Sequence, residues 1–316
     1  MAFLNGWQYR KKITITGATG AGTDYVVLLK VGESSGSTDY DFHLEGLSEN
    51  FPSNKNDGGD LRFTASDETT LLDFWVEKVE GTAPNRVAYV WVKVSESLDN
   101  NVDIYCYFGN SGASNYSNGD NTFLFFDDFN DGVLSTTKWT IDQGSNYEEA
   151  NDVLKITGNN AYTTILSIQS FNNARRYKCK GRLDTTHLGY YYYIRKYEPY
   201  FIVHYESDPN IEAHQVGESG DLIVGDTGLN APLDAVWEIV WDQNGYADFY
   251  INDSLKRQGD TAGTNSSPLG IRVYDDDDYC TWDWIFVSKY VKPEPVFSSA
   301  GAIESISRHR GVIAIM

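Results

Sequence analysis

Trp282-Asp283-Trp284-Ile285-Phe286-Val287-Ser288-Lys289-Tyr290 is a run of aromatic and β-branched residues, the composition of a strand packed in a sheet. Pro293 and Pro295 follow it and cannot extend a hydrogen-bonded ladder. One acid, Asp283, stands between two tryptophans. A carboxylate there requires hydrogen bonds, a cation or water. The sequence offers it no evident catalytic partner. The segment therefore reads as the closing strand of a sandwich that binds something, not as the active strand of an enzyme.

The segments upstream have the same character. Arg176 to Leu183, Tyr190 to Lys196, Tyr200 to Tyr205 and Ile271 to Tyr274 all read as strands. Trp237 to Trp241 and Ala247 to Ile251 flank Asn244-Gly245, a pair suited to a tight hairpin turn. Nearer the N-terminus, Lys11 to Thr16 alternates and sets Ile13 and Ile15 on one face. Tyr25 to Val31, Leu61 to Thr64, Leu72 to Val79, Val87 to Val94 and Val102 to Phe108 follow, separated by polar turns such as Asn54 to Asp60. Gly109 to Asn121, rich in Gly, Ser and Asn, reads as a linker. The expected organisation is all-β: two sandwich-like domains over residues 1–120 and 121–300, then a tail over 301–316.

Composition agrees. The 316 residues suffice for two domains, and 41% hydrophobic residues can build a core. Tyr (22) and Trp (8) favour strands and contact surfaces over helices. A net charge of −20 argues against nucleic-acid binding, which needs clustered Lys and Arg, and against anionic membrane surfaces. No stretch reaches the apolar length of a membrane span. The N-terminal residues lack the basic and apolar regions of a signal peptide. The three cysteines form no CxxC motif; Cys106 reads as a core residue, and Cys179 and Cys280 can pair only if their strands are neighbours.

Trp7-Gln8-Tyr9-Arg10-Lys11-Lys12-Ile13-Thr14-Ile15 resembles the opening of an uncharacterised domain family of archaeal and bacterial surface proteins. Asp57-Gly58-Gly59-Asp60-Leu61-Arg62-Phe63, Phe74-Trp75-Val76-Glu77, Val90-Trp91-Val92-Lys93-Val94 and Tyr105-Cys106-Tyr107-Phe108-Gly109-Asn110 continue the resemblance in order. That family has no assigned activity. Its domain is commonly followed by a concanavalin A-like, laminin G-like sandwich of the jelly-roll lectin and glucanase type. Phe126-Asp127-Asp128-Phe129 and Trp282 to Val287 resemble the first and last strands of such a sandwich. The resemblance implies a structural Ca²⁺ site at Asp128 and Asp283. It also raises the question of a laminarinase-type glycoside hydrolase, but the Glu-x-Asp-x-x-Glu pattern of those enzymes is absent from every strand-like aromatic segment.

Four other features bear on function. Tyr190-Tyr191-Tyr192-Tyr193 puts alternate rings on opposite faces, so one pair would line an exposed sheet with Tyr200 nearby. Flat rings bearing hydroxyls suit sugar or protein recognition, while ordinary packing is the competing reading. Asp275 to Asp278 reads as a solvated loop, with calcium as the alternative. Glu148-Glu149 stands among Asn146, Asn151 and Asp152 and reads as a solvated loop. Asn-x-Ser triplets at Asn115, Asn252 and Asn265 are weak signs of export.

The expected function is non-catalytic: a lectin-like adhesin displayed on a cell surface or virion, in a fibre or spike, binding a glycan or surface receptor, with calcium at Asp128 and Asp283. Self-association is open. The alternatives are a structural assembly or decoration subunit, and the laminarinase-type hydrolase.

Overall fold

The computed structural model describes residues 3–158, 162–184, 200–203, 210–217, 220–259, 266–273 and 279–306; for 200–203, 214–217 and 220–224 it describes the backbone alone. The chain divides into two compact units. Unit 1 comprises residues 1–123 with 293–316, and unit 2 comprises 124–292. Unit 2 is thus inserted between two stretches of unit 1, where the sequence suggested domains in series with breaks at 120 and 300.

Unit 1 begins with β1 (Tyr9–Thr16), β2 (Tyr25–Gly32), β3 (Phe42–His43) and β4 (Arg62–Thr64). It continues with β5 (Leu71–Leu72), β6 (Phe74–Glu80), β7 (Val87–Val94), β8 (Val102–Phe108) and the short α1 (Gly119–Thr122). Unit 2 holds β9 (Phe125–Asp127), β10 (Trp139–Gln143), β11 (Tyr147–Ala150), β12 (Val153–Thr157), β13 (Thr163–Phe171) and β14 (Arg175–Asp184). After these come β15 (Tyr200–Val203), β16 (Asn210–Gly217), β17 (Gly220–Asn230), β18 (Leu233–Trp241) and β19 (Ala247–Ile251). Its last strands are β20 (Ser254–Gln258), β21 (Ser267–Val273) and β22 (Tyr279–Lys289), before β23 (Val296–Ser305) returns to unit 1. The four-residue α1 is the only helix among the described residues, so none is long and apolar enough to cross a membrane.

Unit 1 has two sheets, ordered β23-β1-β8-β4-β5 and β3-β2-β7-β6. The alternation read in β1 holds: Ile13 and Ile15 are fully buried. The expected strand at Leu72 to Val79 is broken at Asp73 into β5 and β6, which join different sheets. Two features depart from the sequence reading. The Gly/Ser/Asn stretch after β8 is fastened, not loose: Asn115 Oδ1 accepts from Gly58 N (2.9 Å), and its Nδ2 donates to Asn56 O (2.8 Å). The expected tail supplies half of β23, which pairs antiparallel with β1. Glu304 there forms an ion pair with the buried Arg10 at 2.8 Å.

Unit 2 is built on a large sheet, β11-β12-β22-β14-β18-β19-β20, with β9 also against β22. Two three-stranded sheets accompany it, β10-β13-β21 and β15-β16-β17. One apolar core draws on all three, from Trp237 and Trp282 of the large sheet to Ile271 of β21 and Ile211 of β16. Each large side chain sealed there contributes about 1.5–3 kcal/mol. The Asn244-Gly245 hairpin forms as expected, with Gly245 at φ 90° and Asp242 Oδ1 accepting from the amides of Asn244 and Tyr246.

The deciding segment, β22, lies inside the sheet between β12 and β14. Strand alternation would put Trp282 and Trp284 on one face. Instead Gly181 faces Trp282 while Lys180 faces Trp284, which leaves Asp283 as a bulged extra residue. The bulge resets the alternation, so Trp282 joins the core with Ile285 and Val287, while Trp284 stacks on Phe286 (5.7 Å, 10°). Gly181 makes room for the indole: a Cβ there would lie 2.4 Å from Thr281 O and 2.5 Å from the Trp282 ring.

Cys179 and Cys280 are both free and buried. Cys179 faces Ile285 while Cys280 faces Leu183, four residues further along β14. That offset is roughly 13 Å by strand rise, beyond the reach of a disulfide.

Candidate functional site

The strands β10 and β11 are edge strands of two different sheets of unit 2. An open cleft of about 600 Å³ lies beside them. Leu134, Ile141, Leu166 and Ile168 give it aliphatic walls, and Pro268 of β21 closes one side. Tyr147 of β11 adds a ring that remains 37% exposed. Hydroxyls come from Thr136, Thr140 and Ser170. Ser167 also lines the cleft, but its Oγ donates to Gln169 O and accepts from Leu269 N, so it serves the strands. Beneath lies Trp139, fixed by its Nε1 donating to Asp127 Oδ2 at 2.6 Å and by an edge-on contact with Phe125. The rigid floor follows from local sequence: an acid ending β9 pins the indole that begins β10.

Among the described residues, the lining contains no carboxylate, histidine or cysteine. Its chemistry is hydroxyls and apolar surface, which fits an uncharged ligand carrying both.

Next to the cleft along the chain stands a second feature. Glu149 follows Tyr147 by two residues on β11 and is only 8% exposed. Across the β11–β12 pair it faces Leu154, a core residue, so its side chain points to the core side of the sheet edge. The expected solvated loop at Glu148-Glu149 is therefore corrected. Asn151 and Asp152, at φ 55° and 60°, close a tight hairpin that turns β11 back into β12, and alternation then sends Glu148 out and Glu149 in. Glu149 Oε1 accepts from Gly132 N at 3.0 Å, while its buried Oε2 has no hydrogen-bond partner.

The Asp131 carboxyl lies within hydrogen-bonding reach of Glu149. Burial first, then the bond to Asp131, push the Glu149 carboxyl up to about 7. The charges of Asp131 and Asp127 act in the same direction. Asp131 moves the other way, held below the usual carboxylate range by the hydrogen bond from Glu149, the Val133 amide and Lys138. Two negative charges held together are costly, which is why Glu149 keeps its proton to a higher pH than an ordinary carboxyl.

The other sequence-derived candidates fall elsewhere. Tyr190, Tyr191, Tyr192 and Tyr193 lie outside the described residues, as do Asp275 to Asp278, His187, His204 and Asn265. Tyr200 begins β15 and pairs with His214 through the backbone. Asp128 follows the last paired residue of β9 and accepts from Asn130 Nδ2 at 2.8 Å. Asp283 is the half-buried bulge residue of β22, two positions before the Ile285 that faces Asp127. Among the described residues, no group of three or more His, Cys, Asp or Glu side chains could hold a metal ion. The sequence reading missed Tyr147 and the Glu149–Asp131 pair. The available signal was Asn151-Asp152, a turn dipeptide whose recognition would have made Tyr147 to Ala150 a strand.

Residues 57–142 match the family model described as Domain of unknown function (DUF2341), a stretch that runs from unit 1 into β10. No curated protein matches the chain. Among solved structures, it is similar to one titled for endo-acting O-glycanases of the human gut microbiota that initiate mucin breakdown. That match has 14% identity and a TM-score of 0.43, and covers 53% of this chain and 99% of the other. A Bacillus licheniformis β-glucanase matches at 13% identity and TM-score 0.38, over 52% and 97% of the two chains. The carbohydrate-binding module CBM66 from Bacillus subtilis matches at 12% identity and TM-score 0.37, over 48% and 96%. Two of these are named as enzymes and one as a binding module, and neither role transfers to this chain by likeness. The plain conclusion is that this is a nearly all-β chain whose residues 57–142 carry a DUF2341 match.

Proposed function

We propose that unit 2 is a non-catalytic recognition module for a neutral glycan, held in the cleft beside β10 and β11. The chain would then act as an adhesin or receptor-binding protein of a cell surface or virion. One observation carries this reading: the cleft combines a half-open tyrosine ring, aliphatic walls and hydroxyl side chains, with no acid, histidine or cysteine among the described residues that line it. A sugar has the matching faces, C–H surfaces for the ring and walls, and hydroxyls for Thr136, Thr140 and Ser170. Glycosidic hydrolysis needs two carboxyls about 5–5.5 Å apart for retention or 6.5–9.5 Å for inversion. Among the described residues, none lining the cleft supplies such a pair.

A glycan array with Tyr147→Ala and Tyr191→Ala variants tests the reading. Loss of binding in the Tyr147 variant alone supports the cleft. Loss in the Tyr191 variant alone moves recognition to the tyrosine segment. Release of reducing ends from any polysaccharide overturns the non-catalytic reading.

A further inference from the structure

The large sheet of unit 2 carries a charged row on the face away from its apolar core. Cys179 and Trp237 belong to the core, so their neighbours Lys178 and Glu238 point the other way and stand opposite each other across the β14–β18 pair. Phe286 pairs with Lys178 from β22 and is fully buried, which gives the row an apolar flank. Lys178 itself is 3% exposed. Its Nζ lies 3.1 Å from Asp253 Oδ1 and 3.5 Å from Glu238 Oε2. Arg176 holds the other oxygen of Glu238, with Nε donating to Oε1 at 2.6 Å. Asp253 sits on the two-residue turn between β19 and β20, where Asn252 and Asp253 take φ of 50° and 59°. The turn is fastened to β18: the Asn252 amide donates to Val236 O at 2.8 Å, and its Oδ1 accepts from Val236 N at 2.9 Å. An amine, a carboxyl and a second carboxylate are thus fixed together by β14, β18 and the β19–β20 turn.

We propose that Lys178 and Asp253 are a self-modification site, at which the two side chains condense into an intramolecular amide while Glu238 carries the protons. Glu238 Oε2 takes a proton from the Lys178 ammonium, and the freed amine attacks Asp253 Cγ. One C–N bond forms and one C–O bond breaks. Both protons lost by the nitrogen end on the leaving oxygen, so ammonium plus carboxylate gives amide plus water, and Glu238 is a carboxylate again. No oxidant or second molecule enters the balance. Burial works to raise the Glu238 carboxyl, but the charges of Arg176 and Lys178 outweigh it and hold it below the usual range, so a proton acceptor is in place. Condensation that is unfavourable between separate solutes is favoured between fixed neighbours, whose effective concentrations reach about 10⁵–10⁸ M. Asp253 is more than half exposed, which gives the released water a way out. The amide joins residues 75 apart in sequence, a covalent link in a chain whose three cysteines are all free. It does not depend on the glycan reading.

Intact mass spectrometry of the full chain, followed by peptide mapping, is the test. The wild type is expected to be one water lighter than its sequence and to yield a branched peptide joining Lys178 to Asp253. Asp253→Ala, at an exposed turn, should fold and keep the full mass of its sequence. Lys178→Arg, which preserves the charge beside Glu238, should do the same. Glu238→Gln leaves amine and acid in place and should leave most of the chain unlinked. The linked wild type should also melt at a higher temperature than Asp253→Ala, because closing a long loop restricts the unfolded chain. A wild type at its full sequence mass overturns the proposal. So does a loss of water that maps to a cyclised Asp253 without Lys178. A link formed to the same extent in Glu238→Gln overturns the role given to Glu238.

Discussion

Each unit seals a carboxylate, and the two are treated in opposite ways. In unit 1, Asp60 is fully buried and saturated: it accepts from Ser48 Oγ (2.5 Å), Glu49 N (2.8 Å), Gly109 N (2.8 Å) and Asn110 N (3.1 Å). It gathers three loops that would otherwise have unpaired amides. In unit 2, Glu149 has one amide donor on one oxygen and none on the other. A saturated buried acid is a structural clamp, and its charge is permanently answered. A half-answered one keeps a free choice of partner, which makes it responsive to pH. Unit 2 has well-partnered acids too, Asp127 with Trp139 and Phe129 and Glu238 with Arg176, so Glu149 stands apart from its own unit as well as from Asp60.

The sharpest way to break this contrast is Asp60→Ala. It strands three backbone amides and a hydroxyl in or near the interior. At about 1–3 kcal/mol for each unsatisfied group, the loss is expected to be about 4 kcal/mol or more. Denaturant unfolding, followed by a probe in each unit, should show the transition of unit 1 moving to much lower denaturant. A change below about 1 kcal/mol would mean that the loops do not depend on this clamp.

Gly181→Ala tests the apolar packing of unit 2. The added methyl collides with the Thr281 carbonyl and the Trp282 ring, and backbone cannot yield as a side chain tip can. Overpacking of this kind costs about 1–3 kcal/mol. The variant is expected near the upper end, with a shifted Trp fluorescence as the bulged strand adjusts.

Much of this was legible in the sequence. Val87 to Val94, Val102 to Phe108 and Ala247 to Ile251 are strands with those very boundaries, because long β-branched and aromatic runs carry a strong local signal. The return of β23 to unit 1 was not legible. Its Ser298-Ser299-Ala300-Gly301 centre has little strand character, and only pairing with β1 makes it a strand. The bulge at Asp283 was also hidden, since it is set by Gly181 a hundred residues upstream. Glu149 was misread because its composition is polar while its position, fixed by a two-residue turn, faces the core. Local chemistry reveals what a residue prefers, and long-range pairing decides whether it obtains it.

Smaller in size, and aimed at Glu149 itself, is a pH series. Glu149 binds its proton more tightly when folded than when unfolded, because its folded value is raised to about 7 from 4.5. Folding therefore takes up a proton between those values. The contribution to stability is full below about pH 4.5 and is lost as pH rises through about 7. In cation-free buffer the wild type should lose stability on the order of 1 kcal/mol between pH 5 and pH 8 through this group. Glu149→Gln should be nearly neutral at pH 5 and stabilising at pH 8. Equal pH profiles for the two proteins would show that Glu149 is as well served as Asp60.

The smallest effect on folding is expected at Tyr147, and that is its value. Its ring is more than one-third exposed on an edge strand, so Tyr147→Ala should cost under about 1 kcal/mol. If the cleft is a binding surface, the same change removes the one exposed aromatic ring among its described lining residues and should weaken a glycan ligand about tenfold or more, since aromatic contacts dominate such clefts. Stability and binding then separate in a single variant, which neither Asp60 nor Gly181 can achieve, because their losses would unfold the surface being tested. Thr140→Val refines the result: it keeps the volume, removes one hydroxyl, and should weaken binding by a smaller factor while leaving the melting temperature unchanged. A cleft in which both changes leave binding and stability untouched would be only a gap between two sheet edges.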